Sequence, residues 1–139
     1  RKEFRPSEHL DHPYAMVGVN IVAADTDEEA RRLFTSQQAQ SVDMARGKRG
    51  PLGPPIDDID QYWTAAERPT VEHKLTYSFV GAKDTVAKGL TDLIETTTAD
   101  ELIANVRIFD PGSGLRALEV LADARQQLAA NAKGTTDAQ

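Results

Sequence analysis

The residues best suited to chemistry are polar side chains that interrupt apolar patterns. Gln37 and Ser41 continue the helical spacing of Ala30, Leu33 and Phe34, so an amide and a hydroxyl fall on the buried stripe of a predicted helix. Buried polar groups need hydrogen-bond partners. We therefore treat both residues as candidate site residues.

A second set of polar side chains lies on predicted strands. Asn105 and Arg107 share one face of a strand, and Arg107 is near its carboxyl end, where the active sites of α/β barrels gather. Asn20 lies on the corresponding face of an earlier strand. A buried arginine needs an acidic or anionic partner. An anionic cofactor or substrate could supply it, and so could a carboxylate from a part of the fold outside this chain.

Other patterns favour ordinary structural roles. His9 and His12 are three residues apart, but prolines flank them and no third ligand is near, so we expect solvated histidines. The acidic run at 57–60 lacks the glycines and lysine of a phosphate site, and the glycine-rich segment 47–53 lacks P-loop spacing. His73 lies between charged residues, and no Ser/His/Asp triad can be argued. We predict no metal site, and the catalytic residues stay unassigned.

Two apolar segments predict the strands that position these side chains. Residues 14–24 form a nearly continuous apolar run, which is typical of a strand covered on both faces. Alternation places the small or polar Gly18 and Asn20 opposite branched residues such as Val19. This arrangement suits a barrel strand whose branched face meets helices. Residues 102–109 form the second predicted strand.

Helices are predicted between and after the strands. The first covers residues 27–45 behind a capping box at Thr26. A short helix follows and contains Pro69, which would remove one of its hydrogen bonds. Two more helices carry apolar stripes over residues 86–94 and 115–122. The order strand, helices, strand, helix predicts an α/β fold with parallel strands and a right-handed crossover.

Composition narrows the function classes. The 139 residues carry a formal net charge of −6, 40% hydrophobic residues and no cysteine, which fits one domain with its own core. Disulfides and thiol nucleophiles are excluded, and the acidic balance argues against a nucleic-acid partner. No apolar run is long enough to cross a membrane, so a cytoplasmic protein is expected. The chain opens on Arg1 without methionine, which indicates a piece of a longer protein.

Six short segments carry a resemblance to a known family. They are FRPSEHLD at 4–11, PYAMVGVN at 13–20, AADTDEEAR at 23–31, GPL at 50–52, YSFVG at 77–81 and DELI at 100–103. In this order and spacing they resemble the luciferase-like monooxygenases, a family of flavin-dependent barrel enzymes. The resemblance runs from about Phe4 to Ala124, nearly the whole chain.

The resemblance implies a TIM (β/α)₈ barrel, of which the chain matches only the C-terminal part, strands seven and eight with their helices. Residues 1–132 are assigned to this part of a luciferase-like barrel and residues 133–139 to a polar tail. Two parallel strands would leave open edges and a bare face. We therefore expect the piece to pack against the remainder of the barrel or against other copies of itself, as a homo-oligomer.

The resemblance also implies an activity for the complete barrel. Reduced FMN, supplied by a separate reductase, and oxygen would oxidise a small-molecule substrate such as an aldehyde or ketone. Asn20, Gln37, Ser41 and Arg107 would form one wall of the cofactor-binding site. The 139-residue piece alone is expected to be inactive. A deazaflavin-dependent oxidoreductase is an open alternative.

Departures from the family pattern motivate a different alternative. Ser41 stands where the family tends to carry an aromatic residue, and Ala82 replaces a serine helix cap, a loss of about 1 kcal/mol. Pro69 replaces a residue compatible with a helix. These changes would fit a truncated or degenerate, non-catalytic module that acts in assembly.

Overall fold

The chain folds into a small parallel sheet with helices on both faces. The computed structural model describes residues 2–136, with side chains to residue 128. Its elements are β1 (Met16–Ala23), α1 (Asp27–Ala45), α2 (Arg68–Lys74), β2 (Ser78–Gly81), α3 (Lys83–Thr97), β3 (Glu101–Val106) and α4 (Pro111–Thr136). The sheet order is β2-β1-β3, and both pairings are parallel. The prediction of an α/β fold with parallel strands is therefore confirmed.

One face of the sheet carries the main core. The branched residues Val19 and Ile21 of β1 point to this face, and both are buried. They pack against buried apolar residues of α3 and α4, namely Val86, Ala87, Leu90, Ala117, Val120 and Ala124. Fully burying one valine or isoleucine stabilises a fold by about 1.5–3 kcal/mol. Val19 and Ile21, the branched residues of the alternation predicted for β1, therefore lie on the face that helices cover.

The opposite face is covered only toward the carboxyl ends of the strands. There Val22 packs with Ala30 and Leu33 of α1 in a second cluster. Toward the amino ends, Met16 on β1 and Ile103 on β3 are 57% and 53% exposed. Two apolar side chains thus face solvent beside the exposed Glu101 and Asn105, and we call this patch the bare sheet face.

The structure corrects three details of the strand prediction. A third strand, β2, pairs with β1 from Asn20↔Ser78 to Ala23↔Gly81, whereas only two strands were expected. β2 is four residues long, too short for an alternation signal. β3 ends at Val106 rather than at residue 109. Finally, α1 covers part of the face that the helices of this chain were expected to leave bare.

The helix ends in the structure test the ends that were predicted from the sequence. Thr26 Oγ1 accepts a hydrogen bond from Glu29 N at 3.1 Å, so the predicted cap of α1 is confirmed. Pro69 lies in the first turn of α2, where no helix hydrogen bond is lost, so the expected defect is wrong. The helix α4 continues to Thr136, past the predicted start of the polar tail, and residues 137–139 lie outside the described residues.

A carboxylate from α1 compensates for the missing cap of α3. Ala82 has no side-chain cap, but its amide donates to Asp27 Oδ1 at 2.7 Å. Hydrogen bonds from Ala82 and Thr85 hold the pKa of Asp27 below its ordinary value. Asp27 thus satisfies one amide at the start of α3, although not the amides that a serine at position 82 would cap.

A bidentate ion pair ties the segment between α1 and α2 back onto α1. Arg46 donates to both oxygens of Glu67, at 2.7 and 2.9 Å, and its guanidinium stacks 5.5 Å from the ring centre of Tyr62. Glu67 also accepts from the amide and the hydroxyl of Thr64, at 2.8 and 2.9 Å. The bond from Arg46, then the one from the Thr64 amide, lowers the pKa of Glu67 to about 2.

Gly81 tests the close approach of β2 to α1 and α3. A Cβ at Gly81 would lie 2.6 Å from Thr85 Cγ2 and 2.7 Å from Asp27 Oδ1, and its φ of 157° is rarely adopted by other residues. We expect Gly81→Ala to lower the free energy of unfolding by about 1–3 kcal/mol. Urea unfolding measures the effect, with Gly50→Ala as the control because nothing lies within 4 Å of its Cβ position. Equal stability of the two variants would contradict the close approach.

Acid sensitivity tests the Arg46–Glu67 pair. Because the folded pKa of Glu67 is about 2 and its ordinary value is 4.5, its contribution to stability is full above pH 4.5 and falls as the pH drops toward 2. Glu67→Gln should lower the free energy of unfolding at pH 7 and flatten its decline below pH 4.5. Urea titrations across this range measure both effects, with Glu95→Gln on α3 as a matched change of charge. An unchanged acid slope in Glu67→Gln would rule out this role.

Candidate functional site

Gln37 lies at the centre of a polar cluster near the carboxyl ends of β1 and β3. Its side chain is 3% exposed. Gln37 Oε1 accepts from Asn20 Nδ2 at 2.7 Å, and Gln37 Nε2 donates to the carbonyl oxygen of Arg107 at 2.7 Å. One amide on α1 therefore joins the middle of β1 to the residue that follows β3. Both polar atoms of this amide are satisfied by protein partners.

Asn20 connects the cluster to β2. Its Nδ2 also donates to Ser78 Oγ at 3.0 Å, across the first register pair of β1 and β2. Its Oδ1 is buried and accepts no hydrogen bond from the described residues. A buried acceptor without a donor is costly unless a molecule outside this chain supplies one. Ser78 was not predicted as a site residue, because the strand that positions it gave no periodic signal.

Arg107 occupies a different environment from the one predicted. It was expected to be buried on the face of a strand, but β3 ends one residue earlier and the side chain is exposed. Its Nη2 donates to Gln40 Oε1 at 2.7 Å. Gln40 Nε2 in turn donates to the carbonyl of Gly50 at 3.2 Å. Gln40 follows Gln37 by three residues on α1, so a spacing argument along the same helix could have found it.

Ser41 is buried but lies apart from the cluster. The prediction that Gln37 and Ser41 lie on the less exposed side of α1 is confirmed, because Ser41 is 7% exposed. Among the described residues, Ser41 makes no hydrogen bond to Asn20, Gln37 or Arg107. Asn105 is the register partner of Asn20, but its side chain is exposed. The structure thus brings together three of the four predicted site residues, and their role as cofactor-binding residues stays a prediction.

A cavity of about 270 Å³ adjoins the cluster between α1 and the glycine-rich segment. Gln40 lines it from α1, and Lys48 and Arg49 line it from the segment. Asp43 also lines it, and the Asp43 carboxylate accepts from the Tyr62 hydroxyl at 3.0 Å. The segment therefore forms one wall of a pocket of mixed polar and apolar lining, and Gln40 holds it at the Gly50 carbonyl.

Two further predictions concern metals and membranes. Among the described side chains, no group of three or more His, Asp or Glu residues is placed to hold a metal ion. His9 lies beside Glu8 at 3.2 Å, and both side chains are more than 80% exposed. In the described part of the chain, no helix combines the length and apolar character needed to span a bilayer.

The chain is similar in sequence to a part of several longer proteins. No family model matches the chain. A protein of Escherichia coli strain K12 named luciferase-like monooxygenase is 42% identical over 128 residues, which is 92% of this chain and 38% of that protein. The uncharacterized protein YvbT of Bacillus subtilis strain 168 is also 42% identical, over 88% of this chain and 37% of YvbT.

A solved structure agrees with these sequence matches. The crystal structure of apo-MsnO8 matches 91% of this chain and 39% of that chain, with a TM-score of 0.74 and 28% sequence identity. The chain therefore spans less than two fifths of the length of the relatives that it matches. Over 92% of its residues this chain is therefore homologous to a part of proteins named luciferase-like monooxygenase, and it matches 38% of their length.

Proposed function

We propose that the chain forms part of a flavin-dependent monooxygenase that uses reduced FMN and oxygen to oxidise a small organic substrate such as an aldehyde or ketone. The family supports an oxidoreductase. The observation that carries the proposal is the polar cluster around Gln37, at the ends of the strands where α/β proteins bind their ligands. Its buried Asn20 Oδ1 lacks a donor among the described residues.

The residues present fit one edge of a flavin. A flavin ring presents both donors and acceptors along its polar edge, and when bound it supplies the electrons that activate oxygen. Asn20 Oδ1 can accept a hydrogen bond, while the Ser78 hydroxyl and the exposed Arg107 guanidinium can donate. Asn20 and Ser78 are therefore the residues of this chain that would hold the ring, and Arg107 would hold a different, anionic part of the cofactor or the substrate. Compared with the sequence-based assignment, Ser78 joins the set, Gln37 acts through Asn20, and Ser41 lies outside it.

The chemical task of the cluster is orientation. Gln37 uses both ends of its amide on Asn20 and on the Arg107 carbonyl, so neither group can turn away without leaving a buried polar atom unpaired. Groups fixed in this way lose little conformational entropy when a ligand binds. The apolar packing of Val22 with α1 beneath the cluster keeps water from that side.

The packing partner is proposed to be the remainder of a barrel. β1 and β3 are adjacent and parallel, as strands seven and eight of a TIM barrel would be, but β2 occupies the other edge of β1, so further strands could pair only at the free edges of β2 and β3. The relatives are more than twice as long as this chain, and Met16 and Ile103 on the bare sheet face need a cover. Without that cover, the 139-residue piece would be an inactive assembly module. A second copy of the chain is the other candidate for the cover.

The flavin assignment can be tested by titration. In the complete product of the reading frame, Gln37→Met should weaken FMN binding about tenfold or more, because Asn20 and the Arg107 carbonyl lose their shared partner. Flavin fluorescence measures the affinity. The control is Gln38→Met, at the next position on α1, because Gln38 takes no part in the cluster. A wild-type protein that binds no FMN would sink the FMN proposal, and selective binding of a deazaflavin would favour the alternative cofactor.

The packing proposal can be tested on the chain alone. We expect the isolated 139-residue chain to form oligomers or to be unstable, because β3 has an unpaired edge and the sheet is partly bare. Light scattering gives the mass, and hydrogen exchange reports on β1 and β3. A compact monomer of 15.2 kDa with both strands strongly protected would show that no cover is needed.

A further inference from the structure

We propose that Arg107 and Gln40 form an oxyanion-recognition site, in which Arg107 binds the anionic group and Gln40 positions its guanidinium. The inference rests on the proposed function, because it assigns a ligand class to the same end of the sheet. Its ligand is a carboxylate or phosphate group that accepts at least two N–H donors. Such groups match the planar fork of an arginine.

Arg107 is held at both ends of the residue. Gln37 fixes its backbone carbonyl at 2.7 Å, and Gln40 fixes one guanidinium nitrogen at 2.7 Å. Because Gln40 is a neutral amide, it orients the guanidinium without neutralising its charge. Only one of the five guanidinium N–H donors is needed for this bond, so four stay available to a ligand.

The acidic residues near the strand ends already have partners. Asp25 accepts from Arg116 at 2.7 Å, Asp27 accepts from the Ala82 amide at 2.7 Å, and Asp110 accepts from the Ser113 amide at 2.7 Å. Within residues 2–128, no carboxylate lies in salt-bridge range of Arg107. Other arginines of the same region, such as Arg32 with Glu29, do have acidic partners. Like Arg31 and Arg125, Arg107 makes no ion pair within residues 2–128, but it differs from them in that Gln40 orients its guanidinium, which stays open to a ligand.

The neighbouring cavity carries both signs of charge on the same side of α1. Gln40, Asp43, Lys48 and Arg49 all line that cavity, and the Lys48 ammonium lies 3.9 Å from the Asp43 carboxylate. Arg49 makes no ion pair within residues 2–128, so its charge adds to that of Arg107 although the whole chain carries a net charge of −6. Local charge of this kind attracts an anion despite the unfavourable overall balance.

The anionic group has two chemical sources, and matched pairs of probes separate them. One source is the phosphate of a flavin mononucleotide, which riboflavin lacks. The other is an acid group on the substrate, for which benzoate is the probe and benzamide its neutral match. Affinities are measured by fluorescence titration for the flavins and by calorimetry without flavin for the other pair. The protein is the complete product of the reading frame.

Three variants distinguish charge recognition from structural support. Arg107→Gln removes the charge, and Gln40→Glu keeps an acceptor for Arg107 but neutralises it by an ion pair. Both variants should weaken the binding of one anionic probe, FMN or benzoate, about tenfold or more. The affinity for the neutral probe of the same pair, riboflavin or benzamide, should change by less than about twofold. Arg125→Gln on α4 makes the same change of charge away from the site and should leave all four affinities unaltered. Because Gln40→Glu also loses the donor to the Gly50 carbonyl, a structural role for Gln40 predicts instead that the anionic and the neutral probe of a pair lose affinity equally.

The outcomes are distinct. A loss confined to the FMN and riboflavin pair identifies the cofactor phosphate as the ligand, and a loss confined to the benzoate pair identifies the substrate acid. Unchanged affinities in Arg107→Gln, or normal anion binding in Gln40→Glu, overturn the inference. If the wild-type protein binds neither flavin, the proposed function fails, and the benzoate pair still decides the inference.

Discussion

The buried amide of Gln37 is the interaction on which the arrangement of the site depends. It accepts from Asn20 on β1 and donates to the carbonyl of Arg107 beyond β3. In the absence of this amide, α1 would cover the sheet mainly through the apolar cluster that includes Val22, Ala30 and Leu33. An apolar contact tolerates sliding, whereas two hydrogen bonds from one planar amide fix the position of the helix along the strands.

The polar contacts of α1 extend from this amide to the segment that follows the helix. Gln40 holds the Gly50 carbonyl, and Arg46 holds Glu67 in a bidentate pair. These contacts connect residues separated by 10 and 21 positions in the chain. A segment rich in glycine and proline has little secondary structure of its own, so its shape depends on such side-chain contacts. The wall of the pocket beside Gln40 is therefore positioned by side-chain contacts with α1.

Both faces of the sheet are used, but unequally. The face with Val19 and Ile21 is closed by α3 and α4, while the opposite face leaves Met16 and Ile103 exposed. Exposed apolar groups of this size on a sheet are typical of a surface that another part of a protein covers. The relatives extend well beyond the residues that match this chain.

The sequence by itself determined the local elements and the family. The apolar run of β1, the Thr26 cap and the stripes of α3 and α4 depend on near neighbours, so periodicity and capping signals were sufficient. The family followed from short segments at matching spacing, and the comparisons confirm it. The burial of Gln37 and Ser41 also followed from helical spacing.

Only the tertiary structure decided which of these residues meet. Ser78 joins the site because β2 pairs beside Asn20, 58 residues away in sequence, and four residues give no reliable strand signal. Arg107 is exposed, as is Asn105 on the same face within β3. Asp27 accepts from the Ala82 amide at the start of a helix 55 residues later. Each of these outcomes depends on long-range hydrogen bonds between elements, and local patterns carry no information about them.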